Sequence, residues 1–268
     1  MQKPFQIILI VIISLIVLIL FAKSCNEEDI ENIELINPES SLSEEVVDDD
    51  DLDVCSMNHE EVSVPNKYEL DNNNWPDSIY YVVKNVTYLS EIEKQVIIEH
   101  NKCRTNPSKY VNETLIPLLK SISNNGTYKD SRGIYIQTNE GASAVEEAIR
   151  VLKSQKPLPM IYPKEYLYNA AKDHCLDHGP KSLVGHGGTD NSTPLSRVKK
   201  YNSRVRGVGE NISYGPTTGA EIVRDLIVDD GVSSRGHRDN IFENYRYLGV
   251  AYDFHKGYNV MCVIDYEF

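Results

Sequence analysis

Between Asn26 and Glu61 the sequence has no lysine or arginine, yet it carries 15 aspartates and glutamates. The formal net charge of −13 over 268 residues therefore resides in one segment, and elsewhere 27 basic residues face 25 acidic ones. No basic excess remains to follow a phosphate backbone, which excludes nucleic acid as a partner. Like charges at this density repel and extend the chain, so residues 26–79 are expected to form an acidic, disordered stalk. The carboxylates of this run also lack the loop spacing and central glycine of an EF-hand. Catalytic signatures are missing as well. There is no His-Glu-x-x-His, no Gly-x-Ser-x-Gly elbow, and no cysteine with a local nucleophile signature.

Cysteine is scarce and odd in number, at Cys25, Cys55, Cys103, Cys175 and Cys262. An odd count leaves one unpaired in an oxidising compartment, and Cys25 is the natural leftover. Cys103, Cys175 and Cys262 each fall on a core-facing position and read as buried thiols.

Long apolar runs are absent except for Phe5 to Ala22, 18 residues interrupted only by Gln6 and Ser14. That length spans a hydrocarbon core of roughly 30 Å. Lys3 precedes it and acidic residues soon follow, so the remainder is exported. Residues 1–25 are thus a membrane anchor in type II orientation or a cleaved signal peptide, with the membrane as partner in the first case. Sequons at Asn85, Asn112, Asn125, Asn191 and Asn211 are compatible with a glycoprotein, Asn211 being expected to stay unmodified.

The folded domain is expected over residues 80–268. Ser90 and Glu93 have capping-box spacing, and Ile92, Val96, His100 and Cys103 then share a helical face up to Asn106-Pro107. Ser143 with Glu146 opens a second helix that closes at Lys156-Pro157. A third runs from Pro163 to Gly179-Pro180, and a fourth from Ala220 to about Asp230 with Gly231 stopping it. Residues 120–140 read as a long loop or short strands. Leu248–Phe254 and Tyr258–Phe268 form a hairpin of strands. Helices followed by closing antiparallel strands predict an α+β layered domain.

Ionisable residues next to glycines concentrate in four stretches: around His186, around Glu210, at Asp229-Asp230-Gly231, and around His237. Two imidazoles with two carboxylates are the inventory of a site for a divalent cation, in which the acids ligate or hold the rings by their second nitrogens. His59 and His255 read as exposed.

Gly209-Glu210-Asn211-Ile212, then Gly236-His237-Arg238-x-Asn240-Ile241, then Leu248-Gly249-Val250 resemble the CAP superfamily of cysteine-rich secretory proteins, antigen 5 and pathogenesis-related 1 proteins, also called SCP domains. His100-Asn101-x-x-Arg104 is similar to that family's opening helix motif. Gly185-His186 with Asp190-x-Ser192 and Arg197 is similar to its middle one. The likeness covers about Leu89 to Phe268 and is nearer to the branch found in bacteria and protists. It implies a three-layer α-β-α sandwich with a cleft lined by His186, Glu210, Asp230 and His237. His178, which follows Cys175 at the end of the third helix as the analogous histidine of the animal branch does, competes with His186; Asp229 competes with Asp230, because the family's second acid, a glutamate after a tryptophan on the fourth helix, is missing here. His100, Asn101, Arg104, Asp190, Arg197, Asn211, Arg238 and Asn240 would support the cleft. The resemblance implies zinc or calcium in some members, sterols or other lipids in grooves of others, and no general catalytic activity. Three functions follow as expectations: a non-catalytic extracytoplasmic binding module with a lipid or extracellular protein as partner, a lipid or sterol carrier, and a metal-dependent hydrolase or peptidase.

Overall fold

The computed structural model describes residues 75–268. The apolar run at 5–22, the acidic segment as far as residue 74, Cys25, Cys55 and His59 lie outside the described residues. Among the described residues no helix is long and apolar enough to cross a membrane. The first helix, α1 (Asp77–Lys84), starts ahead of the expected boundary at residue 80. Pro76 precedes its first turn, Asp77 sits at the positive end of its dipole, and Ile79 and Val83 are buried, so the domain's own packing extends upstream.

Helix α2 (Glu91–Thr105) begins as the capping spacing predicts, with the Ser90 backbone N–H and hydroxyl both donating to Glu93 at 2.6 and 2.8 Å. The other Glu93 oxygen accepts from the Tyr252 amide at 2.9 Å, so a cap residue also ties the helix to the sheet. A short helix α3 (Pro107–Tyr110), a π-helical turn (Val111–Leu115) and α4 (Ile116–Ser121) follow. Residues 120–140 resolve into a two-stranded hairpin, β1 (Thr127–Lys129) with β2 (Tyr135–Gln137), apart from the main sheet. Helix α5 (Ser143–Ser154) starts at Ser143 rather than after it, because that hydroxyl donates back to the Glu140 carbonyl instead of capping. Pro163 does not open the third helix. It lies in β3 (Tyr162–Pro163), and α6 (Glu165–His178) starts two residues later.

The main sheet has the order β3-β5-β6-β4, in which β4 is Gly209–Tyr214, β5 is Tyr247–His255 and β6 is Asn259–Glu267. Strand β6 pairs antiparallel with both neighbours, Glu210 facing Asp265 across one ladder and Gly249 facing Asp265 across the other. Alternation along the strands builds two cores. Leu248, Val250, Cys262, Ile264 and Tyr266 face α2, α5 and α8 (Gly219–Val228), whereas Ile212, Ala251, Met261 and Val263 face α6. Helices thus cover both faces of the sheet, and the layers are α-β-α. Gly249 permits this on the α6 side, since a Cβ there would lie 2.1 Å from the backbone of Leu167 and Tyr168. Helices α1, α3 and α4 were not foreseen from the sequence, nor were α7 (Pro194–Tyr201) and α9 (Gly236–Phe242).

His255 is fully buried, contrary to the expectation of exposure. Its ring ends the β5–β6 hairpin by accepting from the Gly257 and Tyr258 amides at Nδ1, both at 3.1 Å, while Nε2 meets the Leu183 carbonyl at 2.9 Å. Cys103, Cys175 and Cys262 are buried free thiols, as their positions predict.

Candidate metal centre at the edge of the sheet

The edge strand β4 carries two adjacent residues that face opposite layers. Glu210 points toward α6 and α7, and Asn211 toward α2 and α9. On the first side His186 Nδ1 lies 2.7 Å from Glu210 Oε1, and Arg197 Nη2 donates to Glu210 Oε2 at 2.5 Å. The glutamate and arginine side chains are each only 2% exposed, but that of His186 is 54% exposed, so a buried ion pair presents a ring to solvent. Burial pushes the Glu210 carboxyl upward, but the His186 hydrogen bond and the Arg197 charge outweigh it and the net displacement is downward. The same hydrogen bond raises the His186 imidazole above its ordinary value. Arg197 also donates to the His186 carbonyl at 3.0 Å, fixing backbone and ring together.

The loop bearing His186 is held from below. His174 and His178, one turn apart on α6 with ring centroids 4.1 Å apart, meet the carbonyls of Gly185 and Gly187 through Nε2 at 2.8 and 2.7 Å. A carbonyl accepts, so both rings carry their proton on Nε2. His178 is therefore a buried prop of the loop, and His186 is the imidazole that reaches the surface. Asp190 is exposed and closes a turn by accepting from the Ser192 amide at 2.9 Å.

On the second side the acid is Asp229, not Asp230. Asp229 Oδ1 lies 2.7 Å from His237 Nδ1, and its Oδ2 accepts from the His237 amide at 3.0 Å. Asp230 instead accepts from the Asn139 and Glu140 amides at 2.7 and 2.8 Å, on the far side of the turn. The reason is the left-handed backbone of Asp229 (φ 55) at the end of α8, which reverses the chain and sends the two neighbouring side chains opposite ways.

The supporting residues tie the two sides into one unit. Asn211 Nδ2 donates to the His237 carbonyl at 2.9 Å, while Asn240 Nδ2 donates to Asn211 Oδ1 at 2.8 Å and to the Glu210 carbonyl at 3.3 Å. Arg238 donates to the Ile227 and Val228 carbonyls and so satisfies the end of α8 just before Asp229. Asn101 exchanges two hydrogen bonds with the Ile161 backbone. His100 donates from Nδ1 to Val96 and accepts the Tyr266 hydroxyl at Nε2, deep in the core. Arg104 likewise serves the backbone, donating to the carbonyls of Pro159, Ile241, Glu243 and Tyr245.

Sequence reasoning missed Asp265. It is wholly buried beside Glu210, and neither of its oxygens has a hydrogen-bond partner. Burial, and then the Glu210 carboxylate, push its carboxyl well above the usual range, so it is carried as the neutral acid. An alternating apolar strand interrupted by Asp265 was the available signal.

Of the expected set, only the two imidazoles keep a nitrogen that is not engaged within the protein. Among the described residues no group of three or more His, Cys, Asp or Glu is gathered closely enough to hold a metal ion. Glu210 and Asp229 spend both oxygens within the protein, which makes them orienting groups, as second carboxylates of histidine ligands are. His186 and His237 each engage Nδ1, which leaves Nε2 as the donor atom. Imidazole nitrogen suits zinc, whereas calcium requires six to eight oxygens that these side chains do not supply.

A layered α-β-α domain with paired histidine–acid units astride one sheet edge defines the class. The chain belongs to the CAP family, the cysteine-rich secretory protein family, whose model matches residues 97–266. It is 29% identical over 106 residues to the uncharacterized protein YkwD of Bacillus subtilis (strain 168), covering 39% of this chain and 38% of that relative, well under half its length. Among solved structures it is similar to an outer surface protein from Borrelia burgdorferi, at 15% identity and TM-score 0.36, over 47% of this chain and 86% of that one. It is also similar to an extracellular SCP-domain protein from Bacillus anthracis, at 17% identity and TM-score 0.35, over 47% and 38% of the two chains. BmVAL-1 matches at 12% identity and TM-score 0.35, over 68% and 80%.

Proposed function

We propose that this chain is an extracytoplasmic, non-catalytic binding module whose cleft takes zinc through the Nε2 atoms of His186 and His237. The observation that carries this reading is the matched hydrogen bonding of the two rings. Each has its Nδ1 fixed by a carboxylate at 2.7 Å, and the two units are joined through Asn211 and Asn240. Two protein donors leave coordination positions for water or for a group on a partner. Export rests on the Phe5–Ala22 run and the charge around it.

The same geometry withholds the two carboxylates, though not the imidazole Nε2 atoms, from service as a general base. A general base needs a carboxylate oxygen or imidazole nitrogen free to take a proton from water. Both oxygens of Glu210 and of Asp229 are already engaged.

Isothermal titration of the full-length chain with zinc at pH 7.5 is expected to give saturable heat, absent after His186→Ala plus His237→Ala. Because the His186 imidazole is raised above its ordinary 6.5, protons compete early, and affinity is expected to decline as the pH falls, beginning above that value. No heat in the wild type, or undiminished heat in the double variant, would refute the assignment.

The two aspartates separate in the same assay. Asp229→Asn removes the group that holds His237 and is expected to weaken zinc about 10-fold or more. Asp230→Asn touches only the Asn139–Glu140 turn and is expected to leave affinity within about 2-fold. The reverse order would return the second acid to Asp230.

A further inference from the structure

The hairpin β1–β2 does not join the main sheet, and beneath it lie two cavities of about 240 and 160 Å³. They share Tyr128, Ile136 and Asp225 in their walls, so the two chambers adjoin at Asp225. The larger chamber is walled by Leu118, Ile122, Val145 and Val228 in addition to the shared Tyr128 and Ile136. Its volume exceeds the roughly 150 Å³ of an apolar cavity that accepts benzene.

The polar part of the lining has a sign. Asp130, Glu221, Asp225 and Asp230 face the two chambers against Arg132 and Arg224 alone. Most of these groups are already engaged. Glu221 holds the hairpin through the Ser131 amide and hydroxyl at 2.7 and 2.9 Å, Asp130 pairs with Arg132, and Asp230 accepts two backbone amides. Asp225 is different. Arg224 reaches its Oδ1 through Nε at 2.8 Å and Nη2 at 2.7 Å, and among the described residues no donor reaches Oδ2. The guanidinium is further committed to the Tyr128 hydroxyl at 3.3 Å and lies over the Tyr128 ring. One carboxylate oxygen is therefore left where an apolar chamber meets a polar one. The Asp225 side chain is 33% exposed, so this oxygen is open to solvent that an arriving ammonium would displace.

We infer that this space is a second binding site, separate from the histidine cleft, for a small aromatic primary amine. The ring would fill the chamber walled by Leu118, Ile122, Val145 and Val228, and the ammonium would donate to Asp225 Oδ2. A carboxylate of the same shape would meet an acidic lining and an acceptor with no proton to offer. The hairpin serves as the door, because a two-stranded ribbon outside a larger sheet is marginally stable and can open to admit the ligand.

The probes are tyramine and its acid counterpart 3-(4-hydroxyphenyl)propionate, titrated into the full-length chain and followed by calorimetry and by chemical shifts of tyrosine rings. Tyramine is expected to saturate, and the acid to bind at least about 10-fold more weakly. Asp225→Asn is expected to weaken tyramine by about 10-fold or more. Ile136→Trp, which fills the chamber from the hairpin side, is expected to abolish it. Equal binding of amine and acid, tyramine binding that survives Asp225→Asn with Ile136→Trp, or no tyramine binding at all would each overturn the inference. Zinc titration of the same variants is expected to be unchanged, which separates this site from the cleft.

Discussion

Replacing Arg104 with methionine is expected to lower stability by at least about 3 kcal/mol, the largest loss from any single polar substitution in the domain. The guanidinium is fully buried and donates to four main-chain carbonyls on two segments. Three of those, on Ile241, Glu243 and Tyr245, lie where α9 gives way to β5, so this one side chain closes the C-terminal end of α9. Methionine matches much of the volume but leaves buried acceptors without donors, each of which costs about 1–3 kcal/mol. Because α9 carries His237 and Asn240, the cleft should loosen before the sheet does. In urea, with a slope near 2 kcal/mol per M, the midpoint should fall by about 1.5 M. Arg150→Met, on the exposed face of α5, is the control and should stay within about 0.5 kcal/mol. A midpoint for Arg104→Met that matches this control would show that the four hydrogen bonds do not hold the domain together.

Stability should also be limited on both sides of the pH scale by two buried groups that titrate in opposite senses. His100 is held neutral by burial, its imidazole lowered from 6.5 to about 4. The unfolded chain takes up that proton first, so stability is present above pH 6.5 and is lost as pH falls from 6.5 toward 4, a total of about 3 kcal/mol. Asp265 works the other way. Its folded carboxyl is raised well above 3.8, so the folded state binds the extra proton and stability declines as pH rises above about 4. Each unit of that displacement costs about 1.4 kcal/mol at pH values above it. Urea midpoints recorded across about pH 4–9 test both. His100→Gln should flatten the acid limb, and Asp265→Asn should raise stability at about pH 7–9 while leaving that near pH 4 almost unchanged. An Asp265→Asn variant that is less stable at about pH 8 than the wild type would mean that the carboxylate is ionised and paired.

The parts of the fold readable from sequence are those governed by local chemistry. Ser90 with Glu93 marked the start of α2, Asn106-Pro107 marked its end, and the β-branched and aromatic runs around His255-Lys256-Gly257 marked β5 and β6. What failed were signals that only packing decides. Pro163 looked like a first-turn proline, yet tertiary pairing with Leu248 drew it into β3. His255 looked like a turn residue on the surface, but its two ring nitrogens serve three backbone groups inside the hairpin. The α7 start was in fact legible, since the Thr193 hydroxyl accepts from the Ser196 amide and Pro194 occupies the first turn.

At the cleft, the two histidines and Glu210 stood next to glycines and could be picked out. The choice between Asp229 and Asp230 could not, because it turns on one left-handed residue at the end of α8. Nor does any spacing reveal that His174 and His178 hold the carbonyls on either side of His186. Those contacts join α6 to a loop across a gap that the sequence does not encode as a pattern. The role of the acids followed the same logic: a set of two histidines and two carboxylates suggests four ligands, whereas the geometry turns both carboxylates inward to hold the rings.

The central claim is that His186 and His237 present their Nε2 atoms to one cation. A crystal structure of the zinc-soaked protein, with anomalous density collected at the zinc edge, tests it most directly. The account predicts a single peak within about 2.1 Å of both Nε2 atoms, with Glu210 and Asp229 still bound to the Nδ1 atoms and not to the metal. A peak ligated by either carboxylate in place of a histidine, or no peak at the edge of β4, would contradict it.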